Sequence, residues 1–152
     1  MKEFKRKLVS FELSKLLKEK GFDIPVSYSY SYSLTKRKDV QDGYSGPFGW
    51  KKGELDITER FFINNNKDID YTNKNWYCCA APEIWLLIEY FIEKYKYFVL
   101  VSISIESKWY FEIYNLSDKR NAELPVLNKK YYDTREEAYE SAFKYLLTEI
   151  IK

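Results

Sequence analysis

Apolar residues recur at helical spacing in three stretches of this 152-residue chain. In "SFELSKLLKEKGF", Leu13, Leu16 and Leu17 fall on one stripe and Ser10 stands at the N-cap position. Gly21 can take the left-handed conformation that closes a helix, with Phe22 folding back as its apolar partner. A second helix is predicted from Pro82, a residue suited to the first helical position. Ile84, Leu87, Ile88, Phe91, Ile92 and Tyr95 then make its apolar face. The third opens on "TREE", where Thr134 and Glu137 have capping-box spacing. Tyr139, Ala142, Phe143, Leu146, Leu147 and Ile150 give its buried side.

Between these helices the pattern changes to strands. "YFVLVSISI" and "KWYFEIYNL" are rich in β-branched and aromatic residues, and the polar joint Glu106-Ser107-Lys108 predicts a hairpin. "PVSYSYSYSL" alternates strictly, placing Tyr28, Tyr30 and Tyr32 on one face and serines on the other. Small polar serines suit water, so the tyrosine side is expected to face the core. "LDITERFFI" reads as a further strand. "TKRKDVQDGYSGPFGWKKGE" and "INNNKDIDYTNKN" read as loops. The expected fold is α+β: an antiparallel sheet packed on one face by about three helices, in two layers. The length suits a single domain over residues 1–152, with a longer variable loop region at about 35–76.

Composition narrows the chemistry. The chain has no histidine, which removes Ser-His-Asp and Cys-His catalysis and histidine-based metal sites. Cys78 and Cys79 are adjacent, a spacing that rarely bridges, and this suits a reducing cytoplasm. The start "MKEFKRKLVSFEL" lacks the apolar core of a signal peptide, and no apolar run reaches membrane-spanning length. A cytoplasmic location is therefore expected, with no membrane partner. Tyrosine occurs 15 times, and lysine outnumbers arginine 20 to 5; part of that excess reads as A/T-rich base composition. The formal net charge is only +2, although residues 1–40 alone carry +5.

The motifs for known chemistries fail on inspection. Asn64, Asn66, Asp68 and Asp70 alternate like a calcium loop. Counted from Asn66, however, the sixth position is Tyr71 in place of glycine and the twelfth is Tyr77 in place of glutamate. The five glycines form no phosphate-binding loop. "CCAAP" precedes a helix start, but cysteine and alanine there read as small buried residues. No catalytic residue, metal ligand or cofactor is assigned.

Surfaces carry the remaining functional readings. Trp50, with Tyr44 and Phe48, sits in the Gly/Pro loop, where an exposed aromatic is a natural contact anchor for a protein partner. Nucleic-acid binding is the alternative reading: Tyr28, Tyr30 and Tyr32 would stack bases if their face were wet, with Lys36, Arg37 and Lys38 reaching phosphates. Nucleotide capture between sheet and loop is a third. The hairpin's edge strand could pair across a two-fold axis to form a homodimer, although no residue demands it.

Three segments are recognisable together: Lys18 to Asp23 (K-E-x-G-F-D), Ala81-Pro82 opening a helix, and Tyr132 to Ala138 (Y-x-T-x-E-E-A). In this order they resemble a group of small, uncharacterised proteins of bacteriophages and Bacteroidetes mobile elements. The chain departs from that group over residues 35–76, where it is longer. It also has "IEYFIEKYKY" where the group carries a W-L-R-E-x-H-N ending. The resemblance transfers no catalytic residue. It implies a non-enzymatic accessory protein that binds, and in some cases inhibits, a host protein inside the host bacterium.

Overall fold

The computed structural model describes residues 7–33, 55–64, 76–117, 126–127 and 130–151. Its elements have the expected α+β character, but the strands are shared between two antiparallel three-stranded sheets. The chain divides into two compact units, Met1–Leu17 with Pro82–Lys152, and Lys18–Ala81. Helix α1 (Phe11–Glu19) runs through the boundary.

The Lys18–Ala81 unit holds β1 (Val26–Ser33), β2 (Leu55–Phe62) and β3 (Trp76–Ala80), in the order β2-β1-β3. β1 is hydrogen-bonded along both edges, and at mid-strand its side chains are buried on both faces. Tyr30 is 6% exposed, and Ser29, on the opposite face, is 0% exposed. The serine face is thus not wholly given to water, as alternation had suggested. Ser29 lies across from Ala80, which is itself buried, so a small residue is required on that side. Tyr30 pairs with buried Cys79 on one side and with Ile57, 50% exposed, on the other, so cover of the tyrosine face thins toward β2. Gly21 adopts φ +75° after α1 and its N–H bonds the Lys18 carbonyl, as the helix-end pattern predicts.

Asn64 closes this unit. Its amide nitrogen donates to the Phe22 carbonyl at 2.9 Å, and its amide oxygen accepts the Ala80 N–H at 2.9 Å. One side chain thereby satisfies a donor and an acceptor from two distant segments. Lys18 Nζ adds a bond to the Cys78 carbonyl at 2.7 Å.

In the other unit, Lys7–Val9 runs antiparallel to Pro82–Ile84, with Val9 N–H on the Pro82 carbonyl and Ile84 N–H on the Lys7 carbonyl. This pairing explains a shift from expectation. Pro82 and Glu83 are held extended, so α2 (Ile84–Tyr90) begins two residues later, with Glu83 as its N-cap. The last turn of the same helix widens into a π turn at Phe91–Tyr95. Leu87 and Phe91 lie fully buried on the anticipated stripe, and Tyr90 joins them from outside it.

Strands β4 (Tyr97–Ile103) and β5 (Trp109–Asn115) form the predicted hairpin, and β6 (Val126–Leu127) adds a short third strand on the far side of β5. Ser107 takes φ 58° at the tip, and its N–H bonds the Ser104 carbonyl. Helix α3 (Arg135–Tyr145, extended by a π turn to Ile150) covers one face of this sheet. Ala138, Tyr139, Ala142, Phe143, Leu146 and Leu147 are buried there, with Val99, Val101, Phe111 and Ile113 facing them from the strands. Phe143 stacks on Phe91 at 5.4 Å between ring centroids. The Thr134–Glu137 capping box is complete: the Thr134 hydroxyl accepts the Glu137 N–H, and the Glu137 carboxylate accepts the Thr134 N–H.

Candidate interaction surface

Most residues singled out for contact lie outside the described residues: Lys36, Arg37, Lys38, Tyr44, Phe48 and Trp50. The strand tyrosines divide. Tyr30 is buried, Tyr28 is half-buried, and Tyr32 is placed as backbone opposite Leu55 and Tyr77. Cys79 is buried, and Cys78 is half-buried with its sulfur 3.5 Å from the Ser31 hydroxyl. Of the calcium-like run, Asn64 serves the two backbone groups above, and Asn66, Asp68 and Asp70 lie outside the described residues.

A shallow groove of about 640 Å³ opens beside the start of α3, lined by residues that include Ser10, Tyr131, Asp133, Glu136, Glu140 and Lys144. Its acids already have partners. Glu140 accepts both the N–H and the hydroxyl of Ser10, tying α3 to the start of α1. Glu136 pairs with Lys7 at 2.8 Å, and Asp133 pairs with Lys108. The hydrogen bonds from Lys7 and Lys108 hold Glu136 and Asp133 below the ordinary carboxylate range, and Asp133 in turn raises Lys108. Glu136 and Asp133 are thus stabilised in the charged form, each against an ammonium group.

The β4–β5 sheet offers a different kind of surface. Its inner face is filled by α3. On the opposite face the alternation places Phe98, Leu100 and Ser102 from β4 beside Tyr114, Glu112 and Tyr110 from β5. None of these six is fully buried, and Leu100 is exposed. Phe98 lies 6.3 Å from Tyr114, and Tyr110 meets Tyr131 edge-on at 6.3 Å. Tyr131 and Leu116 extend the patch with further exposed apolar area. The Tyr114 hydroxyl donates to Glu112 at 2.6 Å, which raises the tyrosine's pKa and keeps that hydroxyl protonated. The result is a row of aromatic rings, with the Tyr114 hydroxyl held by Glu112, a composition favoured where a protein surface becomes an interface.

Sequence reasoning passed over this face. The available signal was that β4, "YFVLVSI", is apolar at both parities, so a helix on one side leaves Phe98 and Leu100 on the other. Comparison of the chain with protein-family models, curated proteins and solved structures returned no match.

Proposed function

We propose that this chain acts by binding another protein, and that the outer face of the β4–β5 sheet is a contact surface for it. The observation that carries the reading is the row formed by exposed Leu100 and Tyr131 with half-buried Phe98, Tyr110 and Tyr114 on the β4–β5 hairpin. Aromatic side chains bury large area at small conformational cost, and a sheet holds them in register before the partner arrives. The sequence resemblance supplies the setting: an accessory protein of a phage or mobile element, working in the cytoplasm of the host bacterium on a host protein. The Gly/Pro loop with Tyr44, Phe48 and Trp50 would add contacts to the same task.

The test is affinity capture from a Bacteroidetes host lysate with the tagged chain and with a Tyr110→Asp, Tyr114→Asp variant. The reading expects one host protein at near-stoichiometric yield with the unaltered chain. It expects loss of that protein with the variant, whose far-UV circular dichroism stays unchanged. Equal recovery by both chains, or recovery by neither, contradicts it.

A further inference from the structure

We infer that Glu112 is a docking point for a guanidinium group, so that the polypeptide seated on the outer face of the β4–β5 sheet places an arginine side chain there.

The inference rests on the protein-binding reading above and names what such a partner must bring. Glu112 stands in the outer row between Tyr110 and Tyr114, each two residues away along β5 and so roughly 7 Å from it. Across the hairpin its register partner is Leu100, 37% exposed. Glu112 is thus a carboxylate set among rings and an aliphatic side chain, and it is already half-buried before any partner arrives. Its Oε2 accepts the Tyr114 hydroxyl at 2.6 Å, and among the described residues no lysine or arginine pairs with it. The acids beside α3 differ in this respect: Asp133 pairs with Lys108 and Glu136 with Lys7. Lys108, the cation next before β5, is therefore already engaged.

A neutral hydroxyl donor does not cancel the charge. A partner that covers Leu100, Tyr110 and Tyr114 strips water from the carboxylate between them, and burying a carboxylate is unfavourable unless a cation and further hydrogen bonds replace that water. A wholly apolar partner is therefore rejected at this point. One with a cation in register gains a charge-assisted bond where solvent screens it least. Glu112 in this way sets which polypeptides can use the face. The neighbouring rings then select the kind of cation. A guanidinium is planar and weakly hydrated; it gives two N–H bonds to a carboxylate while its flat side lies on a tyrosine ring and its stem covers Leu100. An ammonium is compact and strongly hydrated, and it leaves the rings uncovered. The Tyr114 hydroxyl restrains the carboxylate for this two-point contact and still leaves acceptor positions on both oxygens.

The probe is the peptide acetyl-Leu-Arg-Leu-amide, titrated into the isotope-labelled full chain and followed by NMR, beside versions with lysine or neutral citrulline at the centre. The arginine peptide should give saturable shifts centred on the amides of Tyr110, Glu112 and Tyr114. The lysine peptide should bind several-fold more weakly, and the citrulline peptide should not saturate. Glu112→Gln keeps an acceptor for the Tyr114 hydroxyl, so the hairpin stays intact, yet it should weaken the arginine peptide at least about tenfold. Replacing both rings, Tyr110→Leu with Tyr114→Leu, should remove the preference for arginine over lysine. Absence of saturable shifts in this row overturns the inference. So does a citrulline peptide that binds as well as the arginine one, or a Glu112→Gln chain that binds it undiminished. No host protein enters the titration, so its failure is told apart from failure of the capture experiment. A captured protein without an arginine response removes the subsite and leaves the contact surface; an arginine response with nothing captured keeps the subsite and removes the host partner.

Discussion

Asn64 gives the sharpest stability test, because one half-buried side chain bonds two backbone groups from distant segments. Removing it by Asn64→Ala takes away two hydrogen bonds worth about 1 kcal/mol each and strands the N–H of Ala80, which is 1% exposed. The expected loss is about 2–3 kcal/mol, or roughly 5–10 °C in Tm for a chain of this size. Asn64→Asp sharpens the argument. The new carboxylate still accepts from Ala80 but turns an oxygen toward the Phe22 carbonyl, so at neutral pH it restores only part of the loss. When protonated, it can donate to that carbonyl, and its folded-state pKa is therefore raised above the unfolded value of about 3.9. A raised pKa contributes stability that is complete below the unfolded pKa and vanishes as pH rises through the folded one. The gap between Asn64→Asp and the unaltered chain should accordingly narrow on acidification. Urea unfolding followed by circular dichroism at pH 7 and at pH 3.5 measures both effects. An Asn64→Ala chain within about 0.5 kcal/mol of the original, the range of neutral surface changes, would refute the bridging role.

Three further outcomes are expected. Thr134→Ala removes the hydroxyl that accepts the Glu137 N–H, while the backbone N–H at position 134 keeps its bond to the Glu137 carboxylate; the change should cost about 1 kcal/mol by denaturant unfolding, with Thr134→Ser recovering most of it. Glu140→Ala should free the Ser10 N–H and hydroxyl together, which hydrogen exchange will report as faster exchange at Ser10 with little change at Ala142. In an NMR titration Asp133 should ionise below the ordinary range for aspartate, and Lys108→Met should return it toward that range. Its pKa is depressed on folding, so any stability it lends is present above the unfolded pKa and fades as pH falls through the folded one. Full exposure to solvent makes that contribution small.

Local sequence signals located the helices and the hairpin because each is set by neighbouring residues. The Thr134–Glu137 spacing, the left-handed Gly21 and the apolar stripe of α3 all depend on a few consecutive positions, and all are present. The differences come from long-range partners. Pro82 has the right local preference for a helix start, yet its segment is held extended by Lys7–Val9, far away in the chain. Ser29 is polar but buried, across from buried Ala80 of β3, a pairing between distant segments that alternation does not encode. The two-residue β6 offers too short a pattern to detect. The outer face of β4–β5 was visible as apolar residues at both parities of "YFVLVSI". Which parity α3 would cover became clear only once Val99 and Val101 were seen beneath it. Glu140 reaching Ser10 gives no sequence signal, since any exposed-looking helical glutamate would read the same.

The claim on which the functional account rests is that another polypeptide seats on the aromatic side of the β4–β5 sheet. Site-specific photocrosslinking in the host tests this most directly, with a benzophenone amino acid placed at Tyr110 and, for comparison, at exposed Glu149 on the last turn of the α3 extension. The account expects a discrete crosslinked protein from position 110 and none from 149. Identical patterns from both positions, or no adduct from either, would contradict it.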